Sequence, residues 1–317
     1  MGGYTTAAVN SIGLAATIET DGPTGLHSNF TELEGTNFPS IVMLASTWNK
    51  ELAGQRGELI GLQGQELGIT GWYGPAMNIH RTAFSGRNFE YYSEDAVLSG
   101  IMAASEVAGA KKYNMQTYVK HFALNDQECN RIGMLCTWSN EQAIREIYLK
   151  PFEMAFKIGG SEQAMSSYNY IGNQWAGACS ALLKDVLRGE WGVQATVVTD
   201  WYGGYGYMNA DLAIRGGGDR MLTTTDMAGL LDTSSATAVS RMREACHNIL
   251  YSLTRSSLME GTGQGITQWQ QILNYVNIAA AAVVVLTELL TVLLAVRLMK
   301  KKKAQAAAAT DTEPKQE

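Results

Sequence analysis

The chain has 317 residues, of which 46% are hydrophobic, so it is long enough to form one large domain. Its formal net charge is −6, and its one concentrated run of basic residues stands near the C-terminus, which argues against a nucleic-acid-binding surface. The four cysteines form no Cys-X-X-Cys pair, so we expect free thiols. A Cys129–Cys136 disulfide is the alternative if that loop is extracellular.

Short apolar runs alternate with helical patterns between residues 12 and 222, and most of the runs end in polar residues. The predicted strands are 14–18, 69–73, 117–119, 164–167 and 195–199. The predicted helices are 47–64, 94–113, 140–158 and 179–191, with Ser93 as the N-cap of the second and Ser139 or Asn140 as that of the third. This alternation predicts a parallel sheet with crossover helices.

An open doubly wound sheet and a closed barrel both fit the alternation. The polar residues recur at the carboxyl ends of many strands, which is the arrangement of a (β/α) barrel. An open sheet concentrates its ligand groups near one crevice and usually begins with a glycine-rich phosphate turn. Gly216–Gly218 comes late and is read as a loop. We therefore predict an α/β fold of the (β/α)8 or TIM-barrel type, incomplete at its start.

The alternation of predicted strands and helices ends at residue 222, and a polar segment follows. We predict a partial barrel over residues 1–225 and then, over 226–265, a linker with an amphipathic helix that packs on the barrel. That helix spans Ala238–Leu253, with Met242, Ala245, Ile249 and Leu253 on one side. Residues 300–317 are predicted to be a lysine-rich, disordered tail.

Residues 278–299 are strongly apolar and contain only two charged side chains, Glu288 and Arg297. A buried core helix is the alternative, but about 20 apolar residues suffice to cross a bilayer, and Lys300–Lys303 follow at once. We therefore predict a single transmembrane helix. By the positive-inside rule, the barrel lies outside the cytoplasm and the tail lies inside, in a cell-membrane protein.

The predicted barrel rim carries carboxylates, cations and aromatic rings together. Sugar-binding sites use this mixture, because charged groups bind hydroxyls and aromatic faces cover the apolar side of the ring. Metal chemistry would require clustered histidines or carboxylates, and a serine nucleophile would require a Gly-X-Ser-X-Gly elbow; neither pattern is present. We expect no metal and no cofactor. The rim residues in question are Asp21, Arg87, Lys120, His121, Arg131, Tyr168, Asp200 and Trp201.

Five motifs in this order resemble glycoside hydrolase family 3 of the β-glucosidase type. They are Asp21-Gly22-Pro23, the stretch Gly-Arg-Asn-Phe-Glu-Tyr-Tyr-Ser-Glu-Asp at 86–95, Lys-His-Phe-Ala-Leu-Asn at 120–125, Ala-Met-Ser-Ser-Tyr-Asn at 164–169, and Val-Thr-Asp-Trp at 198–201. The resemblance runs from about residue 3 to residue 222. It implies a barrel domain that hydrolyses terminal β-linked sugars of oligosaccharides or glycosides with retention of configuration.

The resemblance also implies roles for single residues. Asp200 would be the catalytic nucleophile. Asp21, Arg87, Lys120 and His121 would bind sugar hydroxyls, and Trp201 would wall the subsite. Arg131 and Tyr168 would support Asp200 and line the pocket, and Met165 would pack beneath the sugar.

One element of the family pattern has no counterpart in the sequence. A retaining enzyme also needs an acid/base group, which in this type of enzyme usually comes from an α/β sandwich domain. No such domain follows residue 222, and Ala123–Asp126 lacks the Pro-Gly-His-Gly run that carries the group in other members. We expect either a portion of a longer enzyme, a separately encoded partner, or a non-catalytic, membrane-tethered sugar-binding remnant.

Overall fold

The structure is a computed structural model that describes residues 4–203, 205–223, 230–260 and 268–310. The chain comprises two compact units, Met1–Gln264 and Gly265–Glu317. The described part of the first unit is an α/β domain, and that of the second is one long helix.

Strands and helices alternate through most of the first unit. The strands are β1 (Glu19–Thr20), β2 (Gly71–Trp72), β3 (Gln116–Phe122), β4 (Cys136–Thr137), β5 (Gln163–Ser166), β6 (Tyr170–Ile171), β7 (Gln174–Trp175) and β8 (Thr196–Thr199). The helices are α1 (Ile41–Ser46), α2 (Lys50–Leu67), α3 (Ala96–Lys111), α4 (Glu141–Ala143), α5 (Lys150–Lys157), α6 (Ala210–Gly216) and α7 (Ala236–Leu253). Ile144–Tyr148 and Ala181–Glu190 are π-helical, and short 3-10 turns lie at Asn10–Ile12, Asn88–Glu90, Ala176–Ala178 and Ser257–Glu260.

The main sheet is parallel and follows the order of the chain, β1-β2-β3-β5-β8. Arg220 adds a parallel bridge to Val198 beyond β8, so the chain occupies a sixth strand position there. Neighbouring strands that follow one another in sequence are typical of a (β/α) barrel, whereas a doubly wound sheet reverses its order. The α/β prediction is confirmed, and the strands of the described residues form an open half-barrel.

Side-chain caps fix where the helices of the half-barrel begin. Asn140 accepts a hydrogen bond from the Ala143 amide at 2.8 Å, as the sequence predicts. The predicted N-cap of α3, Ser93, is wrong, because Asp95 caps the helix by accepting from Leu98 N at 2.7 Å. Ser93 instead accepts from the Asp95 amide at 3.0 Å and shapes the turn that leads into the helix.

The predicted amphipathic helix corresponds to α7, but the face that it buries is partly polar. Ala245 and Leu253 are buried, whereas Met242 and Ile249 are half-buried. Thr196 of β8 donates a hydrogen bond to the Asn248 carbonyl at 2.9 Å. Helix α7 therefore packs against the outer side of β8 through both apolar and hydrogen-bonded contacts.

The second unit contains α8 (Gln268–Thr310), whose residues Tyr275–Lys303 are long and apolar enough to span a membrane. The predicted span 278–299 lies within that stretch. The tail predicted to be disordered from residue 300 is helical through Thr310, because lysine, glutamine and alanine are all good helix formers. The end of the tail, 311–317, and parts of the predicted linker, 224–229 and 261–267, lie outside the described residues.

Candidate active site

A cavity of about 320 Å³ opens at the carboxyl ends of the strands of the half-barrel. All nine residues that the sequence predicts for the site line it, namely Asp21, Arg87, Lys120, His121, Arg131, Met165, Tyr168, Asp200 and Trp201. The loop and strand residues Tyr4, Asn29, Phe30 and Leu222 complete the lining. The cavity therefore gathers groups from five strands and their following loops.

Strand ends deliver the charged groups to the cavity. Asp21 follows β1 directly, and Asp200 follows β8. Lys120 and His121 lie near the carboxyl end of β3. The Asp200 amide donates to the carbonyl of Ser166 at 3.0 Å, which extends the β5–β8 ladder up to the carboxylate. Parallel pairing thus brings side chains that are far apart in sequence to one rim.

Asp21 and Lys120 form an ion pair on one side of the cavity, with Lys120 Nζ 2.6 Å from Asp21 Oδ1. The Gly22 amide donates to the same oxygen at 2.8 Å. Burial alone would raise the pKa of Asp21, but the Lys120 charge and these hydrogen bonds outweigh it and hold the pKa below its usual value. Asp21 is therefore an anionic acceptor, suited to bind hydroxyl groups and unsuited to donate a proton.

Asp200 lies on the opposite side and is the second carboxylate of the lining. Arg131 Nη1 is 3.1 Å from its Oδ2, and the Trp201 amide donates to its Oδ1 at 2.7 Å. Burial raises the pKa of Asp200, and the charges of Arg131, Arg87 and Lys120 oppose the rise. The three cations partly offset the effect of burial and favour the anionic form, which is the state that a nucleophile requires.

His121 is held as a neutral ring with a defined tautomer. Arg87 can only donate, and its Nη2 is 3.1 Å from His121 Nε2, so this nitrogen carries the lone pair. The Tyr91 hydroxyl donates to the Asn125 carbonyl at 3.0 Å and therefore accepts from His121 Nδ1 at 3.2 Å. Burial and the neighbouring cations lower the pKa of His121 well below its usual value. The 3.7 Å approach of Nε2 to Asp200 is accordingly not an ion pair.

Arg131 reaches the cavity from the loop between β3 and β4. Its Nε contacts Glu128 at 2.8 Å, and its guanidinium lies over the Tyr168 ring at 4.5 Å from the centroid. Tyr168 in turn donates to the Trp201 carbonyl at 2.7 Å. These contacts fix Arg131 beside Asp200. Cys129 and Cys136 of the same region are free, exposed thiols.

Aromatic rings wall the cavity next to Asp200. Trp201 stacks on Phe30 with a centroid separation of 5.4 Å, and Tyr4 meets Phe30 edge to face at 4.9 Å. The sequence did not identify Tyr4, Asn29, Phe30 or Leu222 as site residues. Leu222 could have been found, since it follows the sixth strand position, but the other three lie in irregular segments without a local pattern.

The lining as a whole combines two carboxylates, three strong cations, a neutral histidine and aromatic faces. The described residues contain no group of three or more metal-binding side chains. A half-barrel with such a cavity at the carboxyl ends of its strands defines an α/β domain of the carbohydrate-binding or carbohydrate-processing class.

Comparison with known proteins agrees with that class. A profile described as the glycosyl hydrolase family 3 N terminal domain matches residues 3–233. The chain therefore belongs to glycoside hydrolase family 3.

Named relatives of the chain are β-glucosidases. β-Glucosidase A of Butyrivibrio fibrisolvens is 41% identical over 184 residues, which are 58% of this chain and 22% of that protein. A β-glucosidase of Rhizobium radiobacter is 36% identical over 205 residues, 64% of this chain and 25% of the relative. This chain thus spans about a quarter of the length of these curated relatives.

The fold matches solved structures of the same kind. β-Glucosidase 3B of Thermotoga neapolitana in complex with glucose superimposes with a TM-score of 0.73 at 37% identity, over 83% of this chain and 39% of that one. A β-glucosidase of Bifidobacterium adolescentis gives a TM-score of 0.71 at 29% identity, over 80% and 37% of the two chains.

Proposed function

We propose that this chain provides the nucleophile-bearing barrel of a retaining glycosidase of the β-glucosidase type, acting on terminal β-linked sugars. The observation that carries the proposal is the setting of Asp200, a buried carboxylate at the end of β8 that is flanked by Arg131 and opens into the cavity. Simple sugar binding does not require a carboxylate in such an environment.

Each lining residue has a chemical task in this proposal. Asp200 attacks the anomeric carbon and forms the glycosyl-enzyme, and Arg131 and Tyr168 hold it in place. Charge-assisted hydrogen bonds to the sugar hydroxyls come from Asp21, Lys120, Arg87 and His121. Trp201 covers the apolar face of the ring, and Met165 packs beneath it.

The acid/base of the reaction comes, we propose, from outside the residues that the structure describes. A general acid must be protonated near neutral pH, so its pKa must be raised. The cavity lining in the described residues offers only two carboxyl groups. Asp200 already has the role of nucleophile in this proposal, and Lys120 holds Asp21 ionised. A second domain of a longer enzyme, or a partner chain, of the α/β sandwich type would supply the group.

Three further carboxyl groups lie near the rim without lining the cavity. Glu90 pairs with Arg87, and half-exposed Glu128 pairs with Arg131 at 2.8 Å. Asp126 is 3.7 Å from Arg81, and burial raises its pKa. Of these, Asp126 has the raised pKa that an acid requires, and Glu128 shares its arginine with Asp200, so these two residues are the first to test for acid/base activity.

The runner-up function is a non-catalytic, membrane-tethered sugar-binding module. The described lining contains only one carboxyl group besides Asp200, and Lys120 holds that group, Asp21, ionised; the lack of a second catalytic carboxyl group favours this module, since binding needs no acid. The two functions differ in one property, which is whether Asp200 forms a covalent glycosyl-enzyme.

Substrates with different leaving groups test the proposal. The full chain should hydrolyse a dinitrophenyl β-glucoside slowly and a β-linked glucose disaccharide barely at all, because only the disaccharide needs protonation of its leaving group. General acid catalysis contributes about 10²–10⁴-fold. Added azide should accelerate turnover and give a β-glucosyl azide, and Asp200→Ala should abolish both reactions.

Controls separate the possible acids. Asp126→Asn should leave hydrolysis of the dinitrophenyl substrate unchanged, and Glu128→Gln, which weakens the contact with Arg131, should lower it only slightly. Efficient cleavage of the disaccharide, lost in one of these variants, would contradict the proposed external acid/base. Failure to cleave either substrate in a protein that binds glucose would support the sugar-binding module instead.

We further propose that residues 278–299 anchor the protein in the cell membrane, with the barrel outside the cytoplasm. The apolar side chains along this part of α8 are exposed in the structure, and four lysines follow the span. Carbohydrate substrates outside the cell would then be accessible to the cavity.

A further inference from the structure

An ion pair in the barrel interior joins the two edges of the main sheet. Glu19 belongs to β1 at one edge, and Arg220 occupies the sixth strand position at the other. Arg220 Nη1 and Nη2 bind the two carboxylate oxygens of Glu19 at 2.8 and 2.5 Å, which is a bidentate contact across the barrel interior. No part of Glu19 is exposed, and the Arg220 side chain is 12% exposed.

Two tyrosines from the strands between these edges complete the cluster. Tyr73 donates to Glu19 at 2.6 Å, and Tyr118 donates to it at 3.0 Å. Arg220 Nη1 also donates to the Tyr118 hydroxyl at 2.9 Å. We call Glu19, Tyr73, Tyr118 and Arg220 the interior layer.

The interior layer lies one step below the cavity. Side chains two residues apart on a strand share a face, so Glu19, Tyr118 and Arg220 face the same side as Asp21, Lys120 and Leu222, all of which line the cavity. Tyr73 also packs against Tyr4 of the lining, with a centroid separation of 5.3 Å. Interior side chains stacked in layers are the usual filling of a barrel.

We propose that Glu19 and Arg220 are positioning residues, which hold the two sheet edges at a fixed separation and thereby set the distance between the Asp21–Lys120 pair and Asp200. Among the residues that the structure describes, the main sheet runs from β1 to the Arg220 position without a backbone ladder that joins these two ends, so side chains contribute to the spacing across the cavity. A bidentate arginine–carboxylate contact is directional and defines that spacing better than apolar packing does. The inference rests on the proposed function for its significance, but its geometric content can be tested without a substrate.

The test compares two charge-neutral double variants of the full chain. Glu19→Gln with Arg220→Met removes the interior pair and approximately retains its volume. Arg188→Met with Asp219→Asn removes a neighbouring buried pair, 2.8 Å apart and similarly shielded at 10% and 2% exposure. Arg188 and Asp219 contact the outer side of the sheet, so their loss should lower stability without altering the cavity.

Two measurements distinguish positioning from mere stability, each made well below the unfolding temperature. The first is the pKa of Asp21, followed by ¹³C NMR of its carboxyl carbon in the absence of sugar. The second is the affinity for glucose, followed by ligand-observed NMR. The interior variant should raise the pKa of Asp21 by roughly half a unit, because its spacing from Lys120 relaxes. It should also weaken glucose binding roughly tenfold, while the outer variant changes neither.

An unchanged Asp21 pKa in the interior variant, or equal changes in both variants, would overturn the inference. If the unaltered protein bound no glucose, the proposed function would fail, and the Asp21 titration would still decide whether the interior layer positions the pair.

Discussion

Asp200 is subject to two opposing influences on its charge. Burial raises its pKa, and Arg131, Arg87 and Lys120 lower it. Because Arg131 lies 3.1 Å away, it is the cation whose removal should change the balance most. The ionisation of Asp200 is therefore a property that one substitution can shift in a known direction.

The rate of glycosylation should rise with pH as Asp200 ionises, and its acidic limb should lie above the ordinary aspartate pKa of about 3.9. Arg131→Met removes a cation that favours the carboxylate, so the limb should move to higher pH. Arg131→Lys retains the charge and should move the limb less. The measurement is the pH–rate profile for a dinitrophenyl β-glucoside; a limb that stays in place or moves to lower pH in Arg131→Met would contradict the account.

His121 should stay neutral between about pH 5 and 8, with its proton on Nδ1. Burial and the cations Arg87, Lys120 and Arg131 lower its pKa, and Arg87 and Tyr91 fix the tautomer. ¹⁵N NMR of the histidine side chains should show one protonated ring nitrogen and one unprotonated ring nitrogen for His121. Tyr91→Phe, which removes the acceptor for Nδ1, serves as the control for assignment and tautomer. Two protonated nitrogens near neutral pH would rule out the described hydrogen bonds.

The site was predictable where a strand end carries the residue. Asp21, Lys120, His121 and Asp200 stand at such ends within recognisable motifs, and the structure brings them to one cavity. Tyr4 and Phe30 were not predicted, because they come from irregular segments whose position depends on tertiary packing. Tyr91 lies within the motif at 86–95, but its contact with His121 could not be inferred from the spacing of residues alone.

At the scale of elements, α2 and α3 cross at glycines. A Cβ added to Gly57 would overlap the carbonyl oxygen of Glu106, and one added to Gly109 would overlap that of Gly54. The helix backbones can approach this closely only because these side chains are absent. The crossing positions the segments that lead to β2 and β3.

Gly57→Ala should destabilise the protein by about 1–3 kcal/mol, since the new methyl group meets backbone that cannot move aside. Gly54→Ala is the matched control in the same helix. Its Cβ would find the Ser105 carbonyl at an ordinary 3.7 Å, so improved helix propensity should leave stability unchanged or raise it by up to about 1 kcal/mol. Urea unfolding of the full chain in detergent measures both; similar losses in the two variants would argue against the crossing.

Periodicity and turn chemistry gave the elements in the right order, with bounds that differ by a few residues. The predicted helix 140–158 contains a π-helical stretch, Ile144–Tyr148, and the predicted helix 179–191 corresponds to π-helical Ala181–Glu190. The apolar spacing of a short segment does not distinguish these two kinds of helix, because both bury one side. The predicted strand 14–18 is wrong, because β1 comprises only Glu19–Thr20, where pairing with β2 occurs.

At the scale of the whole molecule, the chain combines an α/β domain with a helix that has the length and composition of a membrane span. A protease added to intact cells should remove the barrel and spare an epitope fused to the C-terminus, because the lysines favour the cytoplasmic side. Permeabilised cells provide the control, in which the epitope should also be lost. Protection of the barrel in intact cells would reverse the proposed topology.

The family and the class of domain could be predicted from the sequence, because each of the five motifs contains residues that line the cavity. The number of barrel strands could not be predicted from the sequence in the same way, because it depends on which segments pair with one another. The interior pair Glu19–Arg220 joins residues 201 positions apart, and nothing in the local sequence around either predicts that contact.

The central claim is that Asp200 is the nucleophile of a retaining reaction. Its most direct test is incubation of the full chain with dinitrophenyl 2-deoxy-2-fluoro-β-glucoside, followed by proteolysis and mass spectrometry, with Asp200→Asn as the control. The account predicts one fluoroglucosyl adduct on the peptide that contains Asp200 and none in the control. An adduct on another carboxylate such as Asp21 or Glu128, or no adduct in a protein that binds glucose, would contradict it.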